Sequence, residues 1–197
     1  MHLDPSAYLR IDAHQSIDVT ASGASFATST GDILEVSSFG EGVFRVRMGP
    51  RTLPDYGIIQ QPAQHCGVTP GSKWPWRFTA GDAMLEIGGA PLRFRLFWKT
   101  RPIFGSITDQ HFRGFTRLPN FGRLRQGGLW TAAFALRSGE GVYGLGEKFG
   151  PLNKRGQLIH SQVEDALGVN TGLSYKNTLR PPPARACRCV ARPPRRD

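Results

Sequence analysis

Gly42-Val-Phe-Arg-Val-Arg-Met48 and Pro91-Leu-Arg-Phe-Arg-Leu-Phe-Trp98 decide the fold. Successive side chains of an extended chain point to opposite faces. The first segment therefore puts Phe44, Val46 and Met48 on one face and Arg45 and Arg47 on the other. The second sets Leu92, Phe94 and Leu96 against Arg93, Arg95 and Phe97. The same period of two runs through Ser16–Ser22, Asp32–Phe39, Ala83–Gly89 and Leu129–Arg137, with Gly, Pro, Asp and Ser between the runs. Half-apolar segments of this kind, punctuated by turn residues, read as a many-stranded antiparallel protein. No long capped stretch of period 3.6 interrupts them, so few and short helices are expected. Two packed sheets bury the apolar faces of that many strands. The expected fold is all-β, an antiparallel β-sandwich.

At 197 residues, of which 39% are hydrophobic, the chain can bury one sizeable core. Two long turn-rich connections are expected, over 48–79 and 104–128; loops on a rigid sandwich are where function tends to sit. The first holds five prolines and ends at Trp74 and Trp76. No run reaches the roughly 18 apolar residues of a membrane helix. The start MHLDPSAYLRIDAHQS lacks both the basic and the apolar region of a signal peptide. A cytoplasmic protein with no membrane partner is expected.

The net charge is +10, which raises nucleic acid as a partner. Half of it sits in the last twenty residues, where six arginines face one aspartate. The remaining cations alternate with apolar residues, as on the wet face of strands, and no recognition-fold signature goes with them. Nucleic acid is not expected to bind. Cys66, Cys187 and Cys189 make no disulfide framework, and Cys187-Arg-Cys189 is too tight for a zinc knuckle. His2, His14, His65, His111 and His160 are scattered. No metal and no cofactor is expected.

Gly141–Asn177, GVYGLGEKFGPLNKRGQLIHSQVEDALGVNTGLSYKN, is the densest run of informative residues. Gly144, Gly146 and Gly150 are spaced wrongly for a dinucleotide loop, and no Gly-Lys-Ser/Thr follows for a phosphate loop. In a β protein such glycines serve bulges and close backbone approaches. Nothing like Gly-x-Ser-x-Gly places a serine nucleophile.

This run, with FRVRMGP and PDYGI upstream and TDQHFRGFTRLPNFGR between, resembles the N-terminal domain of family 31 glycoside hydrolases, the α-glucosidases and α-xylosidases. The resemblance covers about residues 40–177. It implies a galactose-mutarotase-like β-sandwich over 1–177, to be followed by a (β/α)₈ barrel, and retaining hydrolysis of α-linked glucosides or xylosides. That chemistry needs two carboxyl groups roughly 5 Å apart, and in the family both are barrel aspartates. A barrel takes roughly 250 residues, so no catalytic residue is expected in this chain, and the isolated chain is expected to be inactive. Adjacent Glu164 and Asp165 point to opposite faces of an extended segment and make a poor substitute. The resemblance implies instead that Asp165, on a loop reaching over the barrel mouth, binds sugar hydroxyls; the other reading is a solvated loop acid. Glu147, Lys148, Asn153, Arg155, Tyr175, Lys176 and Asn177 are expected to fix the loop and the joint with the barrel. Family members carry Trp shortly before the loop acid where this chain has Gln162, which weakens the aromatic wall there. A different class of function, a free carbohydrate-binding module, would require an exposed aromatic platform, with Trp74, Trp76 and Trp98 as candidates.

From Thr178 the chain turns into Arg, Pro, Ala and Cys. Too few apolar residues remain to join a core, so 178–197 is expected to be disordered. The composition is that of GC-rich codons read out of frame, and Thr-Leu-Arg-Pro is what codons for Thr-Pro-Phe-Ala give after loss of two C nucleotides. The tail is expected to be a frameshift product; a basic tail that binds anions is the alternative.

Overall fold

The computed structural model describes residues 5–50, 60–72, 75–106, 119–126, 130–143 and 150–157. The fold is all-β: twelve strands and one three-residue 3₁₀ turn at Pro5–Ala7 among the described residues. These residues fall into two compact units, one running to Ala135 and one starting at Leu136.

The first unit holds every strand. Strands β2 (Ala13–Thr20), β3 (Gly23–Thr28), β4 (Ile33–Ser38) and β5 (Phe44–Gly49) form one antiparallel sheet in chain order. Strands β6 (Gly67–Thr69), β7 (Trp76–Ala80), β8 (Ala83–Gly88), β9 (Arg93–Trp98) and β10 (Arg101–Gly105) form a second, again in chain order. A third, small sheet pairs β11 (Phe121–Leu124) with both β1 (Tyr8–Arg10) and β12 (Trp130–Ala132). Residues 11–13 stitch the three sheets together. Ile11 N–H donates to the Phe121 carbonyl (3.0 Å), Leu92 N–H donates to the Ile11 carbonyl (2.8 Å), and Ala13 and Gly89 exchange both backbone bonds (2.9 and 2.7 Å).

The alternation does what its period predicts. Phe26, Leu34 and Val36 from the four-stranded sheet and Trp76, Phe78, Leu85 and Ile87 from the five-stranded sheet share one buried core. Phe26 stands edge-on to Trp76 (5.1 Å between centroids) and Phe78 (6.4 Å), the arrangement ring quadrupoles prefer. A second aromatic group, Phe94, Phe104, Phe121 and Phe134, closes the side toward the small sheet, with centroid distances of 4.7 to 6.3 Å. Each such side chain, fully buried, contributes about 1.5–3 kcal/mol. Three of the outward arginines are ion-paired: Arg77 and Arg95 hold the buried Glu86 from both sides, at 3.0 and 2.7 Å, and Arg47 lies 4.0 Å from Glu35. Those carboxylates offset part of the charge that the composition alone makes look like an anion-binding surface.

Two expectations are corrected. The connection over 48–79 contains β6 and β7, and 104–128 contains β11. Strands of three to five residues flanked by Gly and Pro show too little periodicity to stand out. Val46 lies on the expected face, opposite buried Val36, yet is 41% exposed, because β5 is the outer strand of its sheet. No helix among the described residues is long and apolar enough to cross a membrane.

Candidate functional site

The second unit carries the start of the informative run, Gly141–Asn177. Two of its described pieces, 136–143 and 150–157, are tied by side chains that cap backbone groups. Asn153 Oδ1 accepts from the N–H of Val142 (3.0 Å) and of Arg155 (3.1 Å), and Lys154 N–H donates to the Val142 carbonyl (2.6 Å). Arg155 reaches across to donate from one guanidinium nitrogen to the carbonyls of Arg137 (2.8 Å) and Glu140 (2.5 Å). Glu140 in turn accepts from the Arg137 N–H (2.8 Å). A segment without a ladder of its own must satisfy its peptide groups this way. Glycines at 139, 150 and 156 take left-handed φ values of 73°, 95° and 75°, conformations open to Gly at little cost. Lys154 is buried, whereas Leu152 is 80% exposed.

Asn153 and Arg155 thus spend their polar atoms on the segment's own backbone. Glu147, Lys148, Gln162, Glu164, Asp165, Tyr175, Lys176 and Asn177 lie outside the described residues, as do Trp74, Cys187, Cys189, His2, His111 and His160. Among the described residues no three His, Cys, Asp or Glu side chains gather closely enough to hold a metal ion. Cys66 is buried, and burial raises its thiol pKa above the usual value.

The aromatic candidates separate. Trp76 is in the core, packed on Phe26, and cannot offer a platform. Trp98, at the last position of β9, is 42% exposed. Glu41, Asp82 and Lys99 beside it carry no sequence signal: each sits in a short turn, and only the fold brings the turns together.

The family model of the glycosyl hydrolase 31 N-terminal galactose mutarotase-like domain matches residues 33–178. An α-xylosidase of Emericella nidulans is 46% identical over 157 residues, which is 70% of this chain and 20% of that protein. The chain spans about a fifth of the length of that curated relative. Among solved structures, the family 31 dextranase of Flavobacterium johnsoniae complexed with glucose superposes with a TM-score of 0.65 at 18% identity, covering 86% of this chain and 21% of the other. The cycloalternan-forming enzyme of Listeria monocytogenes, in complex with a pentasaccharide substrate, superposes with a TM-score of 0.54 at 16% identity, covering 80% and 15%. At these identities the structural matches show a shared fold.

Proposed function

Because the chain belongs to the glycosyl hydrolase 31 N-terminal galactose mutarotase-like domain family, we propose that it is the non-catalytic sandwich of a retaining α-glycosidase. Its tasks are to brace a (β/α)₈ barrel and to carry a loop to the sugar. The 46% identity to an α-xylosidase, confined to a fifth of that enzyme, is the observation that carries this reading. α-Linked xylosides and glucosides are the substrate class. The sandwich extends over 1–177 in this reading, supported by a family match that runs to residue 178, and 178–197 is an out-of-frame tail. A cytoplasmic setting goes with a chain whose buried Cys66 stays a free thiol.

The division of labour follows from the chemistry. Retention needs a nucleophile and an acid/base on either side of the scissile bond, and both belong to the barrel. Asp165 is the residue of this chain assigned to the substrate. A carboxylate there accepts charge-assisted hydrogen bonds from neighbouring hydroxyls, which orients the ring without taking part in bond breaking. Asn153 and Arg155 cap backbone groups of Arg137, Glu140, Val142 and Arg155 and so fix the described part of the run that leads toward Asp165 in sequence.

Joining residues 1–177 in frame to the barrel of an α-xylosidase tests the assignment. Asp165→Ala in that fusion is expected to lower kcat/KM about 30-fold, the loss of one charged hydrogen-bonding partner. An unchanged kcat/KM in a folded fusion would return Asp165 to a solvated loop acid.

A further inference from the structure

Three turns distant in sequence meet around Trp98 at one end of the sandwich. Trp98 shares the inward register of Phe94 and Leu96, but it is the last residue of β9 and stands 42% exposed. The turn between β4 and β5 lies against its ring: a methyl group added to Gly42 would stand 3.1 Å from Trp98 Cζ3. Gly42 N–H donates to the Ala80 carbonyl (3.2 Å), which ties that turn to β7. Lys99 N–H donates to the Asp82 carbonyl (2.6 Å), which ties the β9–β10 turn to the β7–β8 turn. The Glu41 side chain lies over Gly81, and Lys99 Nζ stands 3.6 Å from Asp82 Oδ2.

An indole that served only to close the core would gain most by being sealed. Here it is left open: Arg101 stands opposite it across the β9–β10 hairpin, and the turns that carry Glu41, Asp82 and Lys99 gather at the same end. The Lys99–Asp82 pair is too exposed, at 69% and 49%, to contribute much stability. Lys99 moreover adopts φ 54°, in a two-residue turn where Gly is the residue of least cost. The lysine's backbone makes the turn, but the ring's exposure does not serve the fold.

We propose that this end of the sandwich is a sugar-binding site that takes one unit of a neutral α-linked gluco-oligosaccharide. The apolar C–H face of a pyranose stacks on the open face of Trp98. Asp82 and Glu41 accept hydrogen bonds from vicinal hydroxyls, and Lys99 donates to a hydroxyl or ring oxygen. Donors and acceptors beside an aromatic plane suit a neutral polyol, and two carboxylates against the two cations Lys99 and Arg101 leave no surplus positive charge for an anion. The choice of an α-linked sugar rests on the glycosidase reading above; the site itself rests on the geometry of the three turns.

Calorimetric titration of the 197-residue chain with isomaltotriose tests it. Saturable binding with a Kd of about 1 mM is expected, weakened at least about tenfold by Trp98→Ala and by a smaller factor in Asp82→Asn. If Trp98→Ala does not fold, the pair Asp82→Asn and Lys99→Gly, which alters only exposed side chains, is expected to weaken binding alone. No saturable heat from the wild-type chain up to about 50 mM sugar overturns the site, and so does unchanged affinity in a folded Trp98→Ala chain. An active barrel fusion combined with either result removes this site and leaves the glycosidase reading intact.

Discussion

Asp32 shows how one side chain joins two sheets. It is buried at the mouth of β4, and its Oδ2 accepts from Thr30 Oγ1 (2.8 Å), Arg123 Nη1 (3.3 Å) and Trp130 Nε1 (3.3 Å). Arg123 also donates to the Thr30 carbonyl (3.1 Å), and its guanidinium lies 5.9 Å from the Trp130 ring centre. Removing the acceptor takes a partner from each donor, although Arg123 keeps the Thr30 carbonyl and Thr30 keeps Thr28 Oγ1, so Asp32→Ala is expected to cost about 3 kcal/mol in urea denaturation, and Asp32→Asn about half of that. A loss under about 1 kcal/mol would mean that water already serves these donors. Cys66 makes a pH-dependent contribution of the opposite kind. Its thiol pKa is raised by burial in the folded state, so the folded chain holds that proton to higher pH than the unfolded chain does. Stability from this group is fully present below the ordinary thiol value and is lost as pH rises through the folded value. Denaturation midpoints of the wild-type chain should therefore fall, relative to Cys66→Ala, as pH climbs through the thiol range; parallel curves would contradict this.

At the scale of the element, legibility tracks the strength of the alternation. β9 stands out in the sequence because Phe94, Leu96 and Trp98 alternate with Arg93 and Arg95, and β4 and β8 because Leu34 and Val36, like Leu85 and Ile87, flank a glutamate. β3, Gly23–Thr28, does not, because Gly, Ala and Ser dilute the pattern, although Ala24, Phe26 and Thr28 are buried. Its small residues have a positive reason. A Cβ on Gly23 would run into the Val36 carbonyl of β4, so the two strands can approach there only without a side chain. Gly23→Ala should destabilise by about 3 kcal/mol, the upper part of the range for overpacking, with the loss read from thermal unfolding. A melting temperature within a degree of wild type would show that β3 and β4 separate at little cost. The clamp of Asn153 and Arg155 was legible as a structural role from its place in the family-like run. The cluster of Glu41, Asp82, Lys99 and Trp98 was not, because register alone does not say which turns share an end of a sandwich.

In the function proposed above, the whole molecule is one part of a division of labour. Its sandwich rests on alternation within its strands. In that proposed function the chemistry resides in barrel carboxylates and the sandwich supplies none. The measurement that tests this most directly is hydrolysis of p-nitrophenyl α-xyloside by the 197-residue chain, beside the in-frame fusion of residues 1–177 to an α-xylosidase barrel. No turnover above buffer from the chain and clear turnover from the fusion are predicted. Turnover by the chain itself, or a folded fusion with none, would contradict the account.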